Sequence, residues 1–328
     1  MTQEWQRLSA RRSSLTFPKV EQKKTDRRYY SLNDYCMDTF GEKVYRLSLN
    51  AGMTCPNRDG TLGFGGCAFC SEGGSGDFAP GASLSIPEQI IEAKKRISGK
   101  TNCRRFIAYF QSFTNTYAPV EQLRKLYQSA LAPEEIAALS IGTRSDCLPA
   151  DVLALLGELN RKKPVWIELG LQSIHNKTLQ QMNTHTTVEQ FDRAVTSLHE
   201  KGIPVIVHVI LGLPGETREM MLSTIRHLAE LPISGVKLQL LHVLRGTALA
   251  ERYKAAPFPL LNPEDYCELV IDCLELLPPH VVIHRLTGDG PRRLLIAPQW
   301  STDKKRVLNQ IRHRLKERDT RQGALYHG

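Results

Sequence analysis

Short apolar runs alternate with amphipathic stretches along the middle of this chain of 328 residues. Alternation of this kind is typical of repeated βα units, in which buried strands form a parallel sheet and helices cover it. We expect strands at 44–49, 105–111, 137–142, 165–169, 203–211 and 235–241. We expect helices at 86–98, 119–131, 149–161, 187–201 and 217–230, and several of these begin with a proline or threonine that favours a first turn.

Six strands are sufficient for an α/β fold built as an open barrel, that is, a partial (βα)6 TIM-like barrel. The alternative is a full eight-stranded barrel, because 281–286 and 293–297 can supply two more strands. We divide the chain into a mobile basic N-terminal arm at 1–29, the partial barrel at 30–245, and a C-terminal α/β extension with a basic tail at 246–328.

Composition favours one large cytoplasmic enzyme. No run of eighteen apolar residues occurs, so we expect no membrane span. The first 28 residues are polar and basic and lack the apolar core of a secretion signal. The 43 basic residues outnumber the 34 acidic ones, and the net charge of +9 favours an anionic partner without identifying it.

Three cysteines in one glycine-rich loop, Cys55, Cys67 and Cys70, are the predicted ligands of a metal cluster. The short spacing between Cys67 and Cys70 lets two thiolates reach one centre, and the glycines at 60, 63, 65 and 66 let the loop fold back over it. An iron–sulfur cluster of four irons held by three cysteines leaves one iron open to an outside ligand, which indicates chemistry rather than electron transfer alone.

Two other uses of these cysteines are less favoured. A structural zinc site needs four ligands and usually takes two closely spaced pairs, whereas this chain has one such pair. Disulfides are disfavoured by the lack of a secretion signal and by the odd number of cysteines in the loop. The remaining cysteines are scattered: Cys36, Cys103, Cys147, Cys267 and Cys273.

Polar residues follow the predicted strands, where ligands collect in parallel sheets and barrels. The candidates for binding are Gln111, Thr114 and Asn115 after the second strand, Arg144 after the third, Glu168 and Gln172 on the fourth, and His208 and Gly212 on and after the fifth. Glu168 and Gln172 are four residues apart, so both side chains are expected to point into the barrel.

Several candidates have a structural alternative. The segment 111–115 is also compatible with a polar loop that caps the next helix. Arg144 is equally compatible with a salt bridge to Asp146 or Glu168. A buried, hydrogen-bonded histidine is the favoured interpretation of His208.

The three-cysteine loop, with Phe69 just before its last cysteine, resembles the radical S-adenosylmethionine (radical SAM) superfamily. The similarity covers roughly residues 30–300 and points to a bacterial family in the branch of the elongator catalytic subunit and oxygen-independent coproporphyrinogen oxidase. The segment Gly212-Leu-Pro-Gly-Glu also resembles a turn of the superfamily, although a plain strand-to-helix turn has the same appearance.

This resemblance implies a [4Fe-4S] cluster and S-adenosylmethionine (SAM) as cofactors, with a reductant such as flavodoxin or ferredoxin. It implies reductive cleavage of SAM to methionine and a 5′-deoxyadenosyl radical. It also implies cofactor contacts for Phe69 at the adenine, for Gln111, Thr114 and Asn115 at the methionine part, for Gln172, for His208 at the ribose, and for Gly212 at the adenosine.

Two positions depart from the superfamily pattern. Eleven residues separate Cys55 from Cys67, where a shorter loop is common. Thr184, twelve residues beyond Gln172, occupies the position where related enzymes often carry an arginine for the SAM carboxylate. Either Arg144 replaces that arginine, or amides and backbone groups hold the carboxylate.

The resemblance further implies a transfer RNA substrate, modified at the side chain of its wobble uridine. A basic C-terminal tail is a candidate phosphate contact, with a solvated helix face as the alternative. The tail contains Lys304, Lys305, Arg306, Arg312, Arg314, Lys316, Arg318 and Arg321. Two other functions stay open: a radical SAM enzyme acting on a small tetrapyrrole or cofactor, and a non-catalytic metal or iron–sulfur protein that binds nucleic acid.

Overall fold

The structure, a computed structural model, describes residues 27–74, 76, 79–99, 101–288 and 290–327. The predicted basic arm at 1–29 lies almost wholly outside these ranges. Within them, no helix has both the length and the hydropathy of a membrane span.

Nine strands occur in the described residues. They are β1 (Val44–Leu49), β2 (Arg105–Phe110), β3 (Ile136–Thr143), β4 (Val165–Gln172), β5 (Val205–Leu211), β6 (Gly235–Leu240), β7 (Val243–Leu244), β8 (Val282–Arg285) and β9 (Leu295–Ala297). The main sheet has seven strands in the order β1-β2-β3-β4-β5-β6-β8, and every neighbouring pair is parallel. The predicted open α/β barrel is confirmed.

The full eight-stranded barrel is wrong. The apolar segment near 281–286 does join the main sheet, as β8 beside β6. The segment near 293–297 instead forms β9, which pairs antiparallel with β7 in a separate two-stranded sheet. β9, which was expected to extend the barrel, therefore pairs with β7 and does not join the main sheet.

Ten α-helices cover or connect the strands in the described residues. They are α1 (Leu32–Phe40), α2 (Ile86–Ile97), α3 (Val120–Leu131), α4 (Ala150–Asn160), α5 (Asn176–Gln181), α6 (Val188–Glu200), α7 (Arg218–Glu230), α8 (Ala248–Ala255), α9 (Pro263–Leu276) and α10 (Lys304–Glu317). All five predicted helices are present. Capping boxes at Ser31–Asp34 and Thr187–Gln190 fix the starts of α1 and α6 by satisfying backbone N–H groups.

Apolar side chains form two layers, one outside and one inside the curved sheet. The outer layer is the main core, packed between the sheet and its covering helices. The inner layer closes the lower end of the barrel and contains Ile107, Ala138, Trp166 and Ile206. Helix α1 packs beneath it, and the rings of Tyr35 and Trp166 meet edge to face with centroids 5.6 Å apart. We call this inner layer the barrel floor.

The two edge strands, β1 and β8, face each other across a seam. The residues before α1 add a single parallel bridge between Ser31 and Ile283, and the Ile283 N–H donates to the Tyr30 carbonyl at 2.8 Å. Arg46 on β1 also donates to His284 Nδ1 on β8 at 2.6 Å. Side chains and one short backbone segment therefore join the edges.

Ion pairs attach the C-terminal helix α10 to α9. Arg314 pairs with Glu268, and Arg318 pairs with both Glu268 and Asp272. These two arginines of the predicted basic tail are thus engaged within the chain. The predicted domain boundary at residue 245 stays a prediction, although β8, from beyond it, completes the main sheet.

Candidate functional site

A buried ionic cluster lies above the barrel floor, with Glu168 at its centre. The Glu168 carboxylate accepts hydrogen bonds from Ser140 Oγ and from His208 Nε2, both at 2.8 Å. It forms an ion pair with Lys237, and Arg46 Nη2 lies 3.6 Å from Glu168 Oε1. Because the side chains of Glu168 and Lys237 are both 0% exposed, neither charge is stabilised by water.

The charges in this cluster set the protonation of His208. Burial alone would raise the pKa of Glu168, but Lys237 and Arg46 outweigh it and hold that pKa well below its usual range. Burial, and then the charge of Lys237, lowers the pKa of His208 to about 4. His208 is therefore neutral at pH 7. Since a carboxylate only accepts hydrogen bonds, Nε2 carries the proton and Nδ1 is an acceptor.

Lys237 is the functional residue that sequence reasoning missed. It lies in the middle of β6, pairs in register with His208 on β5, and also donates to the Tyr109 hydroxyl at 3.0 Å. A lysine between the apolar residues Val236 and Leu238 of this strand was the available signal. His208 is hydrogen-bonded to Glu168, as expected, but its side chain is 17% exposed because it also lines the two cavities described below.

The three predicted cysteine ligands line one cavity, which lies above the ionic cluster at the carboxyl ends of the strands. Seven of the predicted binding residues line the same cavity: Phe69, Gln111, Thr114, Arg144, Glu168, Gln172 and His208. We call it the cysteine cavity. Glu168 and Gln172 both line this cavity, as predicted, although a β-bulge between Gly170 and Gln172 interrupts the alternation of side chains along β4.

Hydrogen bonds hold the cysteine loop in place. The Cys70 N–H donates to the Cys67 carbonyl at 2.9 Å, which forms a tight turn between the two cysteines. Asn57 Nδ2 donates to the Asn183 carbonyl at 2.6 Å and lies 3.6 Å from Cys67 Sγ. Asn183 Nδ2 in turn donates to the Gly66 carbonyl at 2.9 Å. The α5–α6 connection therefore positions the loop.

The cysteines are suited to a group larger than one ion. All three are free of disulfides, and burial raises the pKa of the Cys67 thiol to about 12, with the neighbouring Cys70 adding to the rise. No three His, Cys, Asp or Glu side chains in the described part of the chain lie close enough to hold a single metal ion. Contact with a metal ionises a buried thiol, so these thiols would bind as thiolates.

Gln172 presents an unused acceptor to the cysteine cavity. It adopts a left-handed conformation with φ of 69°, beside a β-bulge that interrupts the pairing of β4 with β5. Its side chain turns back over Gly170, where an added Cβ would come within 2.8 Å of Nε2. The buried Oε1 atom has no hydrogen-bond partner. A ligand with an N–H donor would satisfy it.

Arg144 forms the salt bridge that was one of its two predicted interpretations. Its guanidinium binds Asp146 through two hydrogen bonds of 2.9 and 2.8 Å, and Nη1 donates to the Thr184 carbonyl at 2.9 Å. Burial opposes the charged form, but Asp146 holds the pKa of Arg144 above its usual value. Thr184 thus lies beside Arg144 in the cavity wall, at the position where an arginine was expected.

Two predicted binding residues lie outside the lining of the cysteine cavity. Asn115 is 0% exposed, and its side chain and backbone N–H both donate to the Gly142 carbonyl, at 3.0 and 3.1 Å. Gly212, with φ of 88°, makes the turn between β5 and α7 and packs against Leu261. Both residues shape the strand ends locally, and their predicted cofactor contacts stay predictions.

A second cavity adjoins the first. The two share Phe69, Gln111, Gln172 and His208, and the second continues past Gln239 and Arg285 to His242. His242 Nδ1 accepts from the Gly290 N–H at 3.2 Å, and burial lowers the pKa of His242 to about 4. This neutral histidine was also missed, because it follows a strand that no motif marks.

A cleft with several basic side chains adjoins the second cavity. His242 and Gly290 line both, and the cleft adds Arg292, Asp303, Lys304 and Lys305. The site therefore has three adjacent parts, ordered from the cysteines to cationic side chains at the surface. We call the outermost part the basic cleft.

Comparisons with known proteins agree with this geometry. The model of the Radical SAM superfamily matches residues 54–228, and that of the Radical_SAM C-terminal domain matches residues 233–317. The chain is 43% identical over 302 residues to the protein YtqA of Bacillus subtilis, covering 92% of this chain and 94% of that protein. It is 36% identical over 287 residues to the protein YhcC of Escherichia coli, covering 87% of this chain and 92% of that protein.

More distant similarities extend to two archaeal proteins. The tRNA uridine(34) acetyltransferase of Methanocaldococcus jannaschii is 26% identical over 180 residues, covering 54% of this chain and 32% of that protein. The solved structure of Methanocaldococcus infernus Elp3 superposes with a TM-score of 0.65 at 17% identity, covering 85% of this chain and 64% of that one. The latter similarity shows a common fold.

We predict that the Glu168–Lys237 pair is strongly coupled. Glu168→Gln and Lys237→Met each leave one uncompensated buried charge, so each should lower the free energy of unfolding by roughly 3–5 kcal/mol. The double variant removes both charges and should be destabilised by less than the sum, with a coupling energy of about 2 kcal/mol. Urea denaturation of the four proteins measures this cycle.

A surface pair provides the control. Glu251 and Lys254 lie 2.8 Å apart on α8 with side chains 66% and 56% exposed, so Glu251→Gln and Lys254→Met should change stability by less than about 1 kcal/mol. Single variants at Glu168 and Lys237 that resemble this control would contradict the assignment.

Proposed function

The chain belongs to the radical SAM superfamily, and on that premise we propose that it modifies the side chain of the wobble uridine in transfer RNA. It is a radical SAM enzyme that uses a [4Fe-4S] cluster and SAM as cofactors. The interpretations as a zinc protein and as a non-catalytic nucleic-acid-binding protein are therefore wrong.

We propose Cys55, Cys67 and Cys70 as the cluster ligands. They are free, they line one cavity, and their loop is held by Asn57 and Asn183. When bound, the cluster and SAM supply a 5′-deoxyadenosyl radical that abstracts hydrogen from the substrate. We propose that flavodoxin or ferredoxin is the reductant.

Other side chains of the cysteine cavity have the chemistry to bind SAM. Gln172 Oε1 has no hydrogen-bond donor within the described residues. The amino group of SAM has N–H bonds that could donate to it. Arg144 uses three N–H groups in its contacts with Asp146 and Thr184, and a guanidinium has two more for a carboxylate. The aromatic ring of Phe69 borders both cavities, where it would pack against the adenine.

The placement of the basic cleft next to the second cavity, which in turn adjoins the cysteine cavity, carries the transfer RNA proposal. A substrate base in the second cavity would place its backbone phosphates at the surface, where Arg292 and Lys305 are exposed. The net charge of +9 favours the same partner. The similarity to a tRNA uridine(34) acetyltransferase supports the wobble position.

We predict that Cys67→Ala abolishes cluster binding, because removing one thiolate from the proposed three leaves the cluster with two protein ligands. Iron and sulfide content and visible absorbance after anaerobic reconstitution measure it. Cys103→Ala, at a cysteine that does not line the cysteine cavity, is the matched control and should bind a full cluster. A full cluster in Cys67→Ala would refute the ligand assignment.

We predict that transfer RNA stimulates SAM cleavage. The cluster-loaded enzyme is reduced anaerobically with SAM, and 5′-deoxyadenosine is measured with and without bulk transfer RNA that lacks mature wobble modifications. Stimulation is expected because a bound substrate supplies the hydrogen that makes cleavage irreversible. Formation without stimulation would instead favour a small tetrapyrrole or cofactor as substrate.

We predict that the basic cleft binds phosphates of the RNA backbone. Arg292→Gln together with Lys305→Gln should weaken transfer RNA binding and reduce the slope of log affinity against log salt by about two, roughly one for each phosphate that is no longer neutralised. The matched control is the double variant Lys125→Gln and Arg161→Gln. It removes two exposed charges from α3 and the end of α4, on the outer wall, and should leave the slope unchanged. Equal slopes in the two double variants would exclude the cleft.

A further inference from the structure

The long loop between Cys55 and Cys67 folds into a short hairpin. Asp59 and Phe64 form an antiparallel bridge, and the Leu62 N–H donates to the Pro56 carbonyl at 2.8 Å. The Gly66 N–H closes the hairpin by donating to the Asn57 carbonyl at 2.8 Å. We call residues 56–66 the loop hairpin. The extra length of this loop, which departs from the superfamily pattern, is thus used to build an ordered element.

Phe64 on this hairpin is 79% exposed. Among the described residues, the other large exposed hydrophobic side chains are aliphatic and less exposed, at 38–56%. The Phe64 ring rests on the backbone of Gly60, where an added Cβ would come within 2.8 Å of the ring, and Gly60 has φ of 92°. The distal end of the ring therefore contacts Gly60, and most of the ring is exposed to solvent.

Contacts outside the hairpin keep it in place. The Thr61 hydroxyl is hydrogen-bonded to the Tyr117 hydroxyl at 2.8 Å, and the side chains of Asn57 and Asn183 join the base of the hairpin to the α5–α6 connection. The exposure of Phe64 is therefore a property of an anchored element. A fixed and exposed aromatic ring provides a ready surface for stacking.

Phe64 lies beside the cysteine cavity. It is three residues from Cys67, so their Cα atoms are at most about 11 Å apart. Arg58 and Gly66, which belong to the same hairpin, line the cysteine cavity itself, so the hairpin borders the site.

We propose that Phe64 stacks on an unpaired base of the RNA substrate, next to the nucleotide that enters the site. This inference rests on the proposed function and names a further contact with the same substrate. Phe64 and Leu62 offer far less surface than the roughly 800 Å² per partner of a stable protein interface, whereas one exposed ring matches the face of one base. The net charge of +9 favours the polyanion that carries such a base.

The test uses an anticodon stem–loop RNA with the fluorescent base 2-aminopurine on either side of the wobble position. The RNA is titrated with cluster-loaded enzyme in the absence of reductant. Stacking should quench the fluorescence at one of the two positions with the wild type and with Phe64→Tyr, which keeps an aromatic ring. Phe64→Leu should abolish the quenching and bind roughly five- to a hundredfold more weakly.

Ile91→Ala is the matched control, because Ile91 is a 56% exposed apolar side chain on the outer helix α2. It should bind and quench like the wild type. RNA that binds Phe64→Leu as tightly as the wild type overturns the stacking proposal and leaves the proposed function intact. RNA that does not bind the wild type at all overturns both.

A further measurement tests whether Phe64 contacts the reductant, the other partner that needs access to the cluster, and not the RNA. Reduction of the cluster by flavodoxin is followed beside reduction by dithionite. The same rates for wild type and Phe64→Leu are expected. A variant that is reduced at least tenfold more slowly by flavodoxin, with unchanged RNA affinity, would assign Phe64 to the reductant and overturn the proposal.

Discussion

The ion pair between Glu168 and Lys237 is the interaction on which the rest of the site depends. Two full charges are buried there, and such a pair is tolerated only when its hydrogen bonds are satisfied. The groups that satisfy it, Tyr109, Ser140 and His208, come from β2, β3 and β5, while the pair itself lies on β4 and β6. The charge of Arg46, on β1, lies 3.6 Å from Glu168. Side chains from so many strands meet only if the sheet curves around them. The apolar floor lies below this cluster, and the cysteine cavity lies above it.

This arrangement also determines what the cavities offer a ligand. Charges of the buried cluster are compensated beneath the ligand space. The boundary of that space combines neutral groups, such as the amide of Gln172 and an uncharged His208, with the guanidinium of Arg144. Arg285 lines the second cavity, and the exposed cations Arg292 and Lys305 line the outer cleft. Ligand recognition therefore combines thiols, neutral hydrogen-bonding groups and an ion-paired guanidinium inside with exposed positive charge at the surface.

The sequence predicted the parts of this protein that depend on neighbours along the chain. The pattern of apolar runs located the strands, and the cysteine spacing identified the loop whose three cysteines line one cavity. Glu168 and Gln172 line that cavity as predicted, but a β-bulge that the sequence did not reveal sets the position of Gln172. The sequence could not reveal partners that are distant in the chain. Lys237 lies 69 residues from Glu168, and only the curvature of the sheet joins them. The outcome for Arg144 was open for a related reason, because a ligand carboxylate and a salt bridge to Asp146 or Glu168 were equally plausible uses of its guanidinium. The structure shows the salt bridge to Asp146.

The seam between β1 and β8 has a mechanical consequence. In a closed barrel, continuous backbone hydrogen bonds fix the circumference. Here Arg46 reaches His284 across the seam, and helix α1, which follows the Ser31–Ile283 bridge, packs against both edge strands. Separating the edges requires breaking side-chain contacts and leaves the seven-stranded ladder intact. At this one place, side-chain packing and not a continuous backbone ladder sets the circumference, and Arg46 links it to the charges of the buried cluster.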